Sequence, residues 1–243
     1  MPNYLSKTFI LNKKSLLNEI DIYENYTGVW RSWYRGGHRM TEVNYTEGNE
    51  DGAEKRWHEN LNLKINRTWL DGEKHGKEVS WYKNGSKEFE IDWKKNEKHG
   101  KELRWSQKGN IEVEINWRNG EKSGKEIVWF ENGIKKIETS WKDGQKHGKD
   151  IIWRQNSNKE VEFEFRHGEE DGSAIQWYQN GKKEFLEYFN KGKIVYSRYW
   201  NEDGTLNKKE FFDPNGELYK RELFEKGKLV KTEVDFGKQN DNE

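Results

Sequence analysis

Gly76–His99 reads GKEVSWYKNGSKEFEIDWKKNEKH, and the two stretches after it, GKELRWSQKGNIEVEINWRNGEKS (Gly100–Ser123) and GKEIVWFENGIKKIETSWKDGQKH (Gly124–His147), follow the same plan. Working outward, glycine falls at Gly28, Gly52, Gly76, Gly100, Gly124, Gly148 and Gly172, a fixed step of 24 residues. Five places after these glycines stand Trp33, Trp57, Trp81, Trp105, Trp129, Trp153 and Trp177. Seventeen places after them stand Tyr45, Trp69, Trp93, Trp117, Trp141, Phe165 and Phe189. The aromatic beat is therefore 12 residues, and after one deleted residue near Lys193 it continues through Trp200, Phe212, Phe224 and Phe236.

A beat that short fits one strand of about six residues and a turn, and is too short for a helical hairpin. The turns are written in the sequence. KNG, ENG, QNG and PNG occupy one end of the unit, and DGEKHG, RNGEKSG and KDGQKHG the other, with Asn-Gly and Asp-Gly supplying the left-handed backbone that hairpin turns require. Between turns the residues alternate. In KEFEIDW, Phe89, Ile91 and Trp93 are expected on one face, and Glu88, Glu90 and Asp92 on the other. With Gly85 as the left-handed residue of a three-residue loop, Trp81 is expected across from Phe89, and by the same counting Trp69 near Val79. All the rings would then share one apolar face: Trp57, Trp69, Trp81, Trp93, Trp105, Trp117, Trp129, Trp141, Trp153 and Trp177, set against aliphatic neighbours, with a mainly structural role.

The expected fold is all-β, an elongated and curled single-layer antiparallel meander of 24-residue hairpin units. Residues 1–27 are read as an N-terminal cap, helix or strand undecided; 28–192 as seven hairpin repeats; 193–236 as degenerate half-repeats closing the array; and 237–243 as a frayed tail.

Composition narrows the function. Hydrophobic residues make up 31% and charged residues 36%, too polar for an ordinary globular core, yet there are 13 Trp, 11 Tyr and 11 Phe, an aromatic load that disordered chains lack. Lys plus Arg (44) equal Asp plus Glu (44), mixed along the whole length, which argues against nucleic acid and against an anionic membrane as partner. Cysteine is absent, so thiol catalysis, disulfides and thiolate metal sites are out of reach. With no leader pattern and no membrane-length apolar run, the expected location is the cytoplasm.

Units of the form W..NG....E..W..GEKHGK, from about Gly28 to Phe236, resemble the bacterial variant of the MORN repeat. The resemblance implies single-layer sheets in which each repeat is a hairpin. The YwqK-like members carry the label antitoxin or immunity protein, which implies binding and neutralising a cognate toxin. Two other classes remain open: a structural or membrane-associated scaffold, and a phage or defence factor that sequesters an effector.

No chemistry competes with a binding role. His75, His99 and His147 recur in the same loop, but corresponding loops lie two strands apart, roughly 10 Å, too far to converge on one ion. No metal and no cofactor are expected. Carboxylates two apart on an open strand lack the pocket that raises one pKa for acid/base work, and neither a nucleophile triad nor a phosphate-binding loop is present, so no catalytic residue is expected. The glutamates Glu88, Glu90, Glu112, Glu114, Glu160, Glu162 and Glu164 are expected to form an acidic, partner-facing ladder suited to a basic toxin. An uncovered apolar face or edge strand also leaves room for a homodimer.

Overall fold

The computed structural model describes residues 26–234. The N-terminal cap, apart from its last two residues, and the frayed tail lie outside the described residues. The described chain is all-β, a meander of nineteen antiparallel strands in one open sheet, with no helix among the described residues. The described residues divide into two compact units, one up to Glu121 and the other from Lys122.

The first unit contains β1 (Gly28–Trp33), β2 (Arg39–Thr46), β3 (Asn49–Trp57), β4 (Leu63–Leu70), β5 (Glu73–Lys74), β6 (Gly76–Trp81), β7 (Lys87–Lys94), β8 (Glu97–Trp105) and β9 (Ile111–Arg118). Its turns are of two kinds. Between β7 and β8, Lys95 and Asn96 are both left-handed (φ 52° and 62°), the two-residue turn whose twist matches that of the flanking strands. Between β6 and β7, the Tyr82 N–H donates to the Ser86 carbonyl across Lys83-Asn84-Gly85, with Gly85 at φ 88°. That is the three-residue loop the sequence announces.

The pairing beyond this loop differs from expectation. Trp81 pairs with Lys87 and Ser80 with Phe89, which leaves Glu88 as a one-residue bulge. A bulge sets two residues against one and turns the alternation over. Phe89, Ile91 and Trp93 therefore share a face with Gly76, Glu78 and Ser80, while Trp81 points to the other side with Val79, Lys87 and Glu90. Trp69 pairs with Lys74, and Val79 with Asn66, so Trp69 and Val79 are also on opposite faces. The same shift follows β1, β3 and β8. The rings do not form one aromatic face. Tyr45, Trp69, Trp93 and Trp117 lie on what we term the first face, and Trp33, Trp57, Trp81 and Trp105 on the second.

The second unit takes β10 (Glu121–Trp129) from Lys122, then β11 (Lys135–Lys142), β12 (Gln145–Trp153), β13 (Lys159–Arg166), β14 (Glu169–Trp177), β15 (Lys183–Asn190), β16 (Lys193–Trp200), β17 (Leu206–Phe212), β18 (Leu218–Glu225) and β19 (Lys228–Val234). Its hairpins carry the same bulge after β10, β12, β14, β16 and β17. Trp141 and Phe165 consequently occupy the first face, and Trp129, Trp153 and Trp177 the second. The degenerate segment 193–234 keeps the strand-and-turn plan in full.

One glycine shows why the 24-residue step is strict. Gly100 sits inside β8 at φ 72°, faces Trp117 across the ladder, and would place a Cβ 3.1 Å from Asp92 Oδ2. Gly109 is equally left-handed (φ 88°), but a Cβ there meets nothing within 4 Å. Gly100→Ala should therefore cost more than the roughly 1–2 kcal/mol of the left-handed conformation alone, and Gly109→Ala no more than that. Equilibrium urea unfolding of the two variants checks the ranking.

Candidate functional site

A single-layer sheet has no second layer to bury its side chains, and the first face answers this with a row of acids, cations and rings. In the first unit, Glu54, Glu78 and Glu102, each two residues after a lattice glycine, are only 1%, 4% and 2% exposed. Glu54 accepts hydrogen bonds from Arg67 Nε (2.5 Å), Arg56 Nε (2.5 Å) and the Trp69 indole (2.7 Å). Glu78 is held by Lys74 (3.1 Å) and Arg67 (3.4 Å). Glu102 accepts from Lys98 (2.9 Å), Arg104 (2.6 Å) and the Trp117 indole (2.9 Å). Lys74 and Lys98 also lie over the Trp93 and Trp117 rings, at 4.3 and 4.5 Å from their centroids, where the ring quadrupole attracts the cation.

The second unit repeats the device with substitutions. Lys122 pairs with Glu126 and covers Trp141; Lys146 pairs with Asp150, which also accepts from Thr139, and covers Phe165. Further on, the position is apolar at Ala174, 1% exposed, and then Arg221 and Lys208 hold the buried Glu210. Buried charge is expensive unless paired and hydrogen-bonded, and here each buried acid has both.

The second face carries a parallel series. Glu90 receives Lys77 (2.6 Å) and Lys87 (2.8 Å), and Glu114 receives Lys101 (2.7 Å). In the second unit Glu138 receives Lys125 and Lys135, and Glu162 receives Lys149 and Lys159. These lysines again reach the rings: Lys87 over Trp105, Lys135 over Trp153 and Lys159 over Trp177.

The seven glutamates expected as one acidic ladder thus fall into three settings. Glu90, Glu114 and Glu162 share the second face and are answered by lysine. Glu88, Glu112 and Glu160 are the bulge residues: Glu88 accepts from Ser80 Oγ (2.6 Å), and Glu160 lies 3.7 Å from Arg154. Glu164, on the second face, accepts from the Ser173 N–H. Strand alternation is broken at each bulge, and the buried acids Glu54, Glu78 and Glu102 stand at positions that alternation makes solvent-facing. Their signal was present as a joint 24-residue beat of Lys, Glu and Trp around Gly76, Gly100 and Gly124.

The histidines serve turns. His99 Nδ1 accepts from the Asn119 N–H at 3.5 Å, and His147 meets His167 edge-on at 5.2 Å. No group of three or more His, Asp or Glu is placed to hold a metal ion among the described residues. A second row of bonds ties turn to turn: Tyr34 and Tyr82 hydroxyls donate to the Trp57 and Trp105 carbonyls in the first unit, and Arg154 and Tyr178 donate to Trp177 and Trp200 in the second. Phe130 occupies this position without a donor, and an open depression of about 360 Å³ lies there, between Phe130, Asn132 and Gln155.

The carboxylates of both faces are held in their charged form. Burial opposes the charge on Glu54, but hydrogen bonds from Arg67 and Trp69 outweigh it; on Glu102, those from Lys98 and Arg104 do the same, so both carboxyls titrate below their ordinary 4.5. Lys77 and Lys87 likewise lower Glu90. General-acid chemistry needs a carboxyl raised toward neutrality, and every shifted carboxyl among the described residues moves the other way.

A family model described as the MORN repeat variant matches residues 74–95 and 98–119. These two segments cover the hairpin from β5 through β7 and the one from β8 to β9. Repeats of this kind are protein- and membrane-binding modules, non-catalytic in character. No curated protein matches the chain.

Two consequences are measurable. A carboxyl whose folded pKa is depressed contributes stability above its unfolded value and loses it as the pH falls through the folded value, so urea midpoints should drop once the pH passes below about 4.5, the ordinary glutamate value. At pH 7, Glu102→Ala should cost about 3 kcal/mol, because Lys98, Arg104 and the Trp117 indole lose their acceptor; the deficit should shrink by pH 3, and unfolding curves at both pH values test this.

Proposed function

We propose that this chain is a protein-binding scaffold whose partner is a toxin, neutralised in the cytoplasm of the producing cell by direct contact. The observation that carries the binding part is the double ladder. Both faces are held by ion pairs and cation–ring stacks repeated hairpin after hairpin, which fixes side chains before a partner arrives and reduces the ordering cost of association. The detected repeat variant supports the same reading, and the likeness to antitoxin-labelled members of that variant supports the toxin as partner. A phosphate- or membrane-directed role has less support, since cationic side chains on both faces are largely engaged by carboxylates.

Neutralisation on this reading is steric. Because lysine answers Glu90, Glu114 and Glu162, these residues would recruit a basic toxin only by exchanging partners, and contact area outweighs long-range attraction. The test is co-expression with the product of the adjacent reading frame. Restored growth, with both chains eluting as one complex from size-exclusion chromatography, is the expected result. Toxicity that persists with no complex formed would overturn the toxin assignment, and flotation with anionic vesicles would point to a membrane scaffold instead.

A further inference from the structure

The second face changes character within the second unit. Its central row pairs strand to strand as Ile127, Glu138, Ile151, Glu162, Ile175, and then Leu186, Arg198 and Lys209. Where the alternation calls for the next glutamate stands Leu186, and the positions beyond it are cationic. The adjoining row changes in parallel. In the repeats it is polar, with Asp92 and Asn116 in the first unit and Ser140 in the second. It then runs Ser173, Tyr188, Tyr196, Phe211, Lys220.

The side chains there are placed to receive something. Tyr188 is 43% exposed and stacks on Tyr196, centroids 5.8 Å apart and planes 5° from parallel. Arg198 lies 5.6 Å over the Tyr196 ring and has no carboxylate partner among the described residues. Lys220 covers Phe211 at 4.9 Å, and Lys220 and Lys209 share the single carboxylate of Glu222 (2.6 and 3.8 Å). Glu164, at the near border of the patch, is bonded to the Ser173 N–H. Three cations thus stand against one acid beside the exposed Tyr188 ring and the half-buried Tyr196.

We infer that this surface of β15 to β18 is a docking site for an acidic segment of a partner protein with an aromatic side chain, the ring stacking on Tyr188 and a carboxylate bonding Arg198. Tyr and Arg are the residue types that anchor protein interfaces, and the charge excess selects an acidic occupant. The inference rests on the protein-binding reading above and adds the place and the chemistry.

The probe is a random copolymer of glutamate and tyrosine, titrated by fluorescence anisotropy against the full chain, with polyglutamate, a lysine–tyrosine copolymer and a single-stranded thymidine oligonucleotide in parallel. The Glu–Tyr copolymer should bind more tightly than the other three, and Arg198→Glu and Tyr188→Ser should each weaken it roughly ten-fold, about 1.4 kcal/mol. Leu70→Ser, at an exposed position outside the patch, should leave it unchanged, with circular dichroism confirming that all three variants fold. Equal binding by Arg198→Glu and wild type, a preference for the lysine–tyrosine copolymer or for the oligonucleotide, or no copolymer binding would overturn the inference. A toxin complex that forms equally well with Arg198→Glu would leave the scaffold reading standing and remove this site from it; absence of any complex would remove the reading itself.

Discussion

Everything in this molecule follows from having one layer. A sheet without a second layer cannot bury its side chains beneath another element, so burial has to come from neighbours standing on the same face. Flat rings and long cationic stems suit this: a lysine sets its ammonium over an indole of the adjacent strand and pairs with a carboxylate four residues along the chain. Lys98, Trp117 and Glu102 are such a set. The ring excludes water from the ion pair, the ion pair fixes the ring, and the carboxylate is left nearly inaccessible. This explains how a chain with more charged than hydrophobic residues folds with only a few buried aliphatic side chains, Ile91 and Ile115 among them.

The fold was legible because glycine, aspartate–glycine and asparagine–glycine have conformational reasons to be where they are. Gly85 and Gly109 hold left-handed turn positions, and Gly100 a crowded left-handed position within a strand. The facing of the rings was not legible, and the cause is a residue with no chemical signature. The bulge position is filled by Met40, Lys64, Glu88, Glu112, Lys136, Glu160, Glu184, Asn207 and Tyr219, because its backbone is open to almost any side chain. Sequence alternation carries across a bulge as if it were absent, so one undetected residue assigns half of the rings to the wrong face.

The buried acids were hidden for a related reason. A glutamate flanked by lysine, as in Gly-Lys-Glu, reads as solvent-facing, and composition alone favours that reading. Its burial depends on partners two residues before the glycine and seventeen after it, Lys98 and Trp117 in the case of Glu102. The three share a period, and a period shared by opposite charges and a ring carries more information than any of the three alone. The loss of the pattern is informative in the same way: Ala174 follows its glycine where an acid stands in the five preceding units, and there no cation is needed.

Repetition also constrains what a scaffold can recognise. Identical hairpins present the same surface again after two strand spacings, about 10 Å, so a partner bound only to the regular part would have several registers of nearly equal energy. Specificity is a difference between such alternatives. It has to come from residues that break the period, and on the second face the period breaks where glutamate gives way to Leu186 and polar side chains give way to Tyr188, Tyr196 and Phe211. The regular ladders supply rigidity, and the irregular rows supply the single reference point against which a partner's position is fixed.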